Sequence, residues 1–168
     1  MPVKDNQRED ARTAYIAGLI DGEGSIMIIK MKEKWGLKYQ AVVSIVNTDR
    51  RLVEIPAKLL GAKRIYVHDP STNGFKGRKL CYKCKIQGTR KMIEPLKLLL
   101  PYLVCKKEQA KLALRLCEKM TRSKPTKTKK GKHRISAGEA RWREKIYQKY
   151  ISIARPQRLT ERTPERVK

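Results

Sequence analysis

Two acidic residues separated by one glycine, Asp21 and Glu23, are the strongest candidates for chemistry in this sequence. Carboxylate oxygens are the ligands that Mg²⁺ and Ca²⁺ prefer, and such a cation can activate a water beside a scissile phosphate. The acids follow a run of helix-forming residues, so Glu23 falls at a helix C-terminus, where the helix dipole disfavours an anion by ~0.3–1 kcal/mol. A carboxylate kept there suggests a compensating cation. The alternative is an ordinary helix end followed by a strand, with both acids solvated.

The helix that carries these acids has a stripe of small residues. Ala14, Ala17, Gly18 and Asp21 recur at spacings of three and four, which places them on one side of the helix. Ala17 and Gly18 allow another helix to approach closely. If two copies of the chain pack about a two-fold axis here, their Glu23 side chains lie near each other and repel, and divalent cations would offset that repulsion.

The composition points to a polyanionic partner. The chain has 168 residues, with 41 Lys and Arg against 16 Asp and Glu, giving a formal charge of +25. Nucleic acid is the first candidate because each phosphate contact releases counterions, and a merely soluble basic surface is the alternative. No apolar stretch approaches the ~20 residues of a membrane span, and the polar N-terminus lacks a signal-peptide pattern. Four cysteines do not make a disulfide scaffold, so we expect an intracellular protein, cytoplasmic, nucleoid-associated or organellar.

Hydrophobic periodicity and turn residues predict one core with extensions. The expected segments are a flexible arm (1–10), the core (11–121), a basic linker (122–135), a C-terminal helix that packs on the core (136–155) and a charged tail (156–168). Within the core we predict helices over 10–21, 48–60, 89–100 and 106–121, and strands over 25–32, 38–47, 63–69 and 78–86. This order predicts an α+β fold, a mainly antiparallel four-stranded sheet with helices on one face.

The second and fourth predicted strands alternate between apolar and polar side chains. One face of the sheet should therefore be packed, and the other wet and basic, as a surface that contacts a DNA groove requires. The predicted DNA-binding residues are Lys30, Lys38, Gln40, Ser44, His68, Lys79, Lys83 and Lys85, with Lys130 and Lys132 in the linker.

Residues 16–24, IAGLIDGEG, closely resemble the motif that names the LAGLIDADG homing endonucleases. The resemblance extends to IVNTDRRLVEI and to PYLVCKKEQAKLAL, so it covers residues 13–116. It implies the fold of that family with the motif helix at a dimer interface, since members with one motif are homodimers. The interface residues it implies are Ala14, Ala17, Gly18 and Asp21.

The same resemblance assigns roles at the end of the motif helix. Glu23 corresponds to the acid that ligates the catalytic metal, and the backbone carbonyl of Gly22 to a frequent second ligand, whereas Asp21 supports the helix end. The implied cofactor is Mg²⁺ or another divalent cation, such as Mn²⁺, or Ca²⁺ in a complex that does not cleave.

Residues farther along the chain match family positions near the scissile phosphates. They are Asn47 after the second strand and Lys106 before the late helix, or Lys107 if the register slips. Arg51 or Arg50 is a weaker match. The sequence departs from the family pattern at two of these positions. Glu23 stands where the family has Asp, which keeps the carboxylate. Asn47 stands where the family has Gln, and its side chain is shorter.

These features predict a homodimeric, metal-dependent, intron-encoded homing endonuclease that cleaves both strands of a long pseudo-palindromic DNA site, approached through the major groove. Two alternatives use the same fold: an RNA maturase that binds intron RNA, and a DNA-binding regulator without catalysis. Neither needs Glu23, so the intact acidic motif with Lys106 favours the nuclease.

One further pattern, the CxxC of Cys81 and Cys84, suggests zinc at first sight. Residues three apart on a strand point to opposite faces, and no second pair completes a zinc site. A core position for Cys84 is the better interpretation.

Overall fold

A computed structural model describes residues 5–34, 36–69, 79–123, 126–127 and 133–154. The helices are α1 (Asp5–Glu23), α2 (Arg51–Leu59), α3 (Ile93–Leu99), α4 (Lys107–Arg122) and α5 (Ala137–Ala154). The strands are β1 (Gly24–Glu33), β2 (Gly36–Asn47), β3 (Ile65–His68), β4 (Cys81–Gln87), β5 (Thr126–Lys127) and β6 (His133–Arg134). Among these described elements, none is a helix long and apolar enough to cross a membrane.

Four strands form one antiparallel sheet in the order β1-β2-β4-β3. This confirms the predicted fold class. The side chains of Tyr39, Ala41, Val43 and Ile45 alternate along β2 and are all buried, because they point toward the helices. We call this side of the sheet the packed face and the opposite side the open face. The main apolar core lies between the packed face and the helices.

Helix α1 is longer at both ends than the sequence predicts. It begins at Asp5, so the expected flexible arm of residues 1–10 is wrong for residues 5–10, which are helical. At the other end, Gly22 lies inside the helix and does not break it. The exit is instead set by Gly24, where an added Cβ would lie 2.8 Å from the Ile20 Cα atom. Only glycine permits this close approach, and it lets the chain pass directly from α1 into β1.

Two short strands are described in the segment between α4 and α5. Thr126 and Lys127 pair with Arg134 and His133 in a short antiparallel ladder, where the sequence predicts only a basic linker. The predicted DNA-binding residues Lys130 and Lys132 lie outside the described residues, as does the predicted charged tail (156–168).

Helix α5 lies against the packed face, held by one polar cluster. The Glu144 carboxylate accepts a hydrogen bond from the Lys30 ammonium at 2.9 Å and another from the Tyr39 hydroxyl. The Gln148 amide nitrogen donates to the same carboxylate at 2.7 Å. The ring of Tyr147 lies 5.9 Å from that of Tyr39, centroid to centroid. We call Glu144, Lys30, Tyr39 and Gln148 the α5 anchor.

Candidate active site and nucleic-acid interface

The end of α1 presents one exposed carboxylate. Glu23 is the last residue of the helix and is exposed, and it forms no hydrogen bond or ion pair with any residue that the structure describes. The tight exit at Gly24 holds it at the corner between α1 and β1. Glu23 is therefore free to bind a ligand from outside the chain.

Asp21, by contrast, is used within the chain. Its carboxylate accepts hydrogen bonds from the backbone N–H groups of Val104 at 2.7 Å, Cys105 at 3.1 Å and Lys106 at 2.8 Å. Partial burial acts to raise the pKa of Asp21, but these three hydrogen bonds and the nearby Lys106 charge outweigh it and lower the pKa. Asp21 thus fastens the loop before α4 to the end of α1.

The Lys106 side chain completes this connection in the opposite direction. Its ammonium donates a hydrogen bond to the backbone carbonyl of Asp21, one of the C-terminal carbonyls that the helix leaves without an intrahelical partner. A cation at this end of a helix is favoured by the helix dipole. Lys107 is instead the first residue of α4, so the end of α1 is met by Lys106.

Asn47 is the last residue of β2 and lies at the end of the sheet where α1 leads into β1. The first residue of β1, Gly24, pairs with Ile45, so Asn47 lies two residues beyond that pair, toward Glu23. Its side-chain oxygen accepts the Asp49 N–H at 2.8 Å, which leaves the amide NH₂ for contacts outside the turn. This turn also delays the start of α2 to Arg51, three residues later than predicted.

The two arginines beside this turn are paired with their own neighbours. Arg51 binds the Asp49 carboxylate at 2.7 Å, and Arg50 binds Glu54 at 2.7 Å. Because both pairs are exposed, they are weak and exchange readily with another anion. The geometry does not separate Arg50 from Arg51 as a phosphate contact.

The end of α1 has the donor chemistry for a hard divalent cation. The Glu23 carboxylate and the Gly22 backbone carbonyl both supply oxygen, which Mg²⁺ and Ca²⁺ prefer. Among the described residues, no cluster of three or more His, Cys, Asp and Glu side chains could hold a metal ion. The oxygen donors fit such a cation, but the described residues supply too few of them for a full shell, which water, phosphate or a second copy would complete.

The outward side of α1 is a surface of small residues. Ala14, Gly18 and Gly22 are exposed, and a Cβ at Gly18 or Gly22 would meet no atom within 4 Å. Ala17, predicted as an interface residue, is 0% exposed and belongs to the core of its own chain. That prediction is wrong because a residue buried within its own chain offers no surface to a second copy, so the available stripe is Ala14, Gly18 and Gly22.

Several predicted DNA-binding residues do line the open face. Lys38 and Gln40 lie there on β2, and Lys83 and Lys85 lie there on β4. Lys38 pairs with Glu33 at 2.9 Å, whereas Lys83 and Lys85 form no ion pair with a described residue. Lys79 and His68 are exposed next to this surface, on the approach to β4 and on the edge strand β3.

Two predicted DNA-binding residues are in the wrong place for that role. Lys30 pairs with Tyr39 across the ladder, so it lies on the packed face and binds Glu144. Ser44 is on the open face but is only 5% exposed, and its hydroxyl donates to the Cys84 carbonyl at 3.3 Å. The period of a strand tells which residues share a face but not which face is covered, nor how far long neighbours bury a small side chain.

One aromatic on the open face is absent from the residues predicted from the sequence. Tyr66 is 54% exposed and lies opposite Lys83 in the β3–β4 ladder. Its alternation with Val67 and its shared face with His68 could have indicated it. Cys84 is fully buried as predicted, and burial raises the pKa of its thiol.

Comparison with known proteins identifies one family. A family model described as LAGLIDADG endonuclease matches residues 16–103. DNA endonuclease I-CvuI from Chlorella vulgaris is 31% identical over 124 residues, 71% of this chain and 71% of that protein.

Two solved structures have the same fold. The crystal structure of I-CvuI with its target in the presence of 2 mM Ca has a TM-score of 0.68 and 17% identity, covering 92% of this chain and 88% of that one. The archaeal intron-encoded homing endonuclease I-Vdi141I complexed with DNA has a TM-score of 0.66 and 18% identity, covering 86% of this chain and 85% of that one. The family model spans more than half of the chain and includes the end of α1, Asn47 and Leu103. The chain therefore belongs to the LAGLIDADG endonuclease family.

Proposed function

We propose that this protein is a site-specific homing endonuclease that hydrolyses phosphodiester bonds in both strands of a DNA duplex. The observation that carries the proposal is the free, exposed Glu23 carboxylate at the end of α1. Lys106 is fastened to the same helix end through Asp21, and Asn47 ends the strand that pairs with the start of β1. The relatives described above, bound to DNA, support the same activity.

The proposed active unit is a homodimer formed through α1. One chain provides one Glu23, whereas cleavage of two strands needs two sites, and the exposed stripe of Ala14, Gly18 and Gly22 allows a second copy to approach closely. Such a pairing brings both Glu23 side chains to one axis. Gly18→Leu should separate the protomers in sedimentation, and a wild-type monomer on full-length target would contradict the dimer.

The open face is the proposed DNA-contacting surface. A strand ribbon fits the major groove, where Lys83 and Lys85 can contact phosphates and Gln40 can pair with adenine through two hydrogen bonds. Gln40→Ala should change base preference at one position of each half-site by ~1–3 kcal/mol, measured by cleavage across single-base variants. An unchanged profile would remove Gln40 from this surface.

At the proposed active site each side chain has a distinct task. A divalent cation, when bound by Glu23 and the Gly22 carbonyl, would polarise a water and the scissile phosphate. Lys106 stabilises negative charge that develops on the phosphate, and the Asn47 NH₂ orients water beside it. Asp21 keeps Lys106 in place and stays out of the metal shell, because its carboxylate already accepts three hydrogen bonds.

The test is cleavage of a library of randomised DNA duplexes with Mg²⁺, followed by sequencing of the cut ends. The expected result is a small set of cut sites with two-fold related half-sites, and no cutting without the metal. A protein that selects duplexes but never cuts them would be the DNA-binding regulator. One that selects no duplex and binds intron RNA would be the maturase.

A further inference from the structure

The first strand of the sheet, β1, carries apolar side chains on both of its faces. Ile26 and Ile28 are each 3% exposed and belong to the main core on the packed face. Met27, Ile29 and Met31 alternate with them and are only half-buried. A strand packed on one face needs an apolar side chain at every second position, so packing on the helices does not explain this second set.

The register of the β1–β2 ladder places the second set on the open face. Ile29 lies opposite Gln40, and Met31 lies opposite Lys38. Residues directly opposite each other in an antiparallel ladder point to the same side of the sheet. Ile29 and Met31 are therefore part of the surface that is proposed to contact DNA.

The apolar core does not account for these two side chains. Met27 lies opposite Val42, which is 0% exposed, and packs against the main core cluster. Ile29 and Met31 lie farther along β1, toward the turn into β2. Within the part of the chain that the structure describes, they neither belong to that cluster nor pack against it. Their exposed apolar surface is available to a ligand.

Aliphatic side chains on such a surface match one group of the major groove. The base edges there present hydrogen-bond donors and acceptors, with one apolar exception, the C5-methyl group of thymine. Ile29 and Met31 provide no charge and no hydrogen-bond donor. Placing them against a polar base edge leaves its donors or acceptors unpaired, which costs free energy, whereas contact with a methyl group removes apolar surface from water.

We propose that Ile29 and Met31 select thymine in each half-site by apolar contact with its C5-methyl group. This inference rests on the proposed function, because it needs a duplex on the open face. Successive open-face positions of one strand are ~7 Å apart, twice the rise per residue, and base pairs stack ~3.4 Å apart. The two selected thymines should therefore lie about two base pairs apart.

Gln40 lies beside the first of these contacts. Its Cβ atom is ~5 Å from that of Ile29, because the two residues are directly opposite in the ladder. The Gln40 amide can pair with adenine through two hydrogen bonds. An amide suited to adenine next to an isoleucine suited to thymine favours A·T base pairs in this part of the half-site.

The test replaces each thymine of a duplex selected by the full-length protein with uracil, one position at a time. Uracil lacks only the C5-methyl group and keeps every hydrogen-bonding group of the base. Binding and single-turnover cutting are both measured. Binding should weaken about fourfold at each of two positions in a half-site, the effect of one methyl group losing its apolar contact. Equal binding of the thymine and uracil duplexes at every position would overturn the proposal.

Two variants assign the contacts to side chains. Ile29→Ala should remove the uracil penalty at one position and Met31→Ala at the other, because the shortened side chain no longer reaches the methyl group. The matched control is Lys83→Gln on the same face, which should weaken binding to both duplexes alike and keep the ratio of their affinities. Uracil penalties that persist in both alanine variants would overturn the assignment. The wild-type comparison needs no variant to fold.

Binding and cutting are measured separately, so the thymine contacts and the proposed nuclease can fail independently. A protein that binds duplexes with the uracil penalties and never cuts them would refute the nuclease and support the thymine contacts. A protein that cuts thymine and uracil duplexes equally would refute the thymine contacts alone. A protein that binds no duplex would refute both.

Discussion

Glu23 at the end of α1 and Glu144 in the α5 anchor are surrounded in opposite ways. Glu144 accepts hydrogen bonds from Lys30, Tyr39 and Gln148, so its charge is used to hold one helix on the sheet. Glu23 has no described partner, although Lys106 lies at the same helix end. There the lysine binds a backbone carbonyl and Asp21 takes the backbone N–H groups. The difference teaches that a lysine near a carboxylate does not reveal whether that carboxylate is structural or available.

The largest expected effect is that of Glu23→Gln on cleavage. The amide removes the charge that binds a divalent cation and leaves the phosphate contacts in place. Cutting should therefore be abolished, with duplex affinity within a few-fold and thermal stability unchanged, as measured by single-turnover cleavage, DNA binding and melting. Normal cutting by the variant would show that Glu23 is a solvated surface acid and not a metal ligand.

Lys106→Ala is expected to come next. Losing one electrostatic stabiliser lowers single-turnover cutting by ~10²-fold or more, with a small effect on binding. Its matched control is Lys107→Ala, which removes the same charge one residue later and should keep most of the activity. Similar rates for the two variants, measured at saturating protein and Mg²⁺, would return Lys106 to a structural role at the helix end.

Asp21→Asn should give a smaller and mixed effect. Both carboxylate oxygens of Asp21 accept hydrogen bonds from backbone N–H groups, so the NH₂ of asparagine must replace one of these acceptors. At least one backbone N–H then has no acceptor, at a cost of about 1–3 kcal/mol. The variant should melt earlier and cut about tenfold more slowly, because Lys106 loses its fixed position. The Mg²⁺ concentration for half-maximal cutting should not change. A large increase in it would make Asp21 a metal ligand.

The smallest effect on activity is expected for Glu144→Gln, which should lower stability and leave cleavage unchanged, the opposite of Glu23→Gln. The variant should lose about 1–2 kcal/mol of its free energy of unfolding at pH 7. Its cleavage activity should equal that of the wild type. Hydrogen bonds from Lys30, Tyr39 and Gln148 lower the pKa of Glu144 to about 2 from its usual 4.5. The anchor therefore contributes fully above about pH 4.5 and is lost as the pH falls toward 2. Between those pH values the free energy of unfolding should change less with pH in the variant than in the wild type. An equal slope in both proteins would mean that another group anchors α5.

The sequence by itself determined the fold class and the identity of the chemical groups. Strand periodicity, the apolar helices and the IAGLIDGEG motif are local patterns, so they predicted an antiparallel sheet, its face-sharing residues and Glu23 without any knowledge of packing. The family resemblance pointed to Lys106, or to Lys107 if the register slips, and the structure shows that Lys106 is the lysine whose side chain reaches the end of α1.

Only the tertiary structure decided which of those groups are available. Lys30 and Lys85 are alike as strand lysines, but α5 covers one face of the sheet and captures Lys30. Ala17 and Gly18 are adjacent in the small-residue stripe, yet only Gly18 remains exposed. Asp21 and Glu23 differ in use because the loop at residues 104–106 reaches one and not the other. The physical reason is that the availability of a side chain depends on partners 83 to 114 residues away along the chain, which a local pattern does not contain.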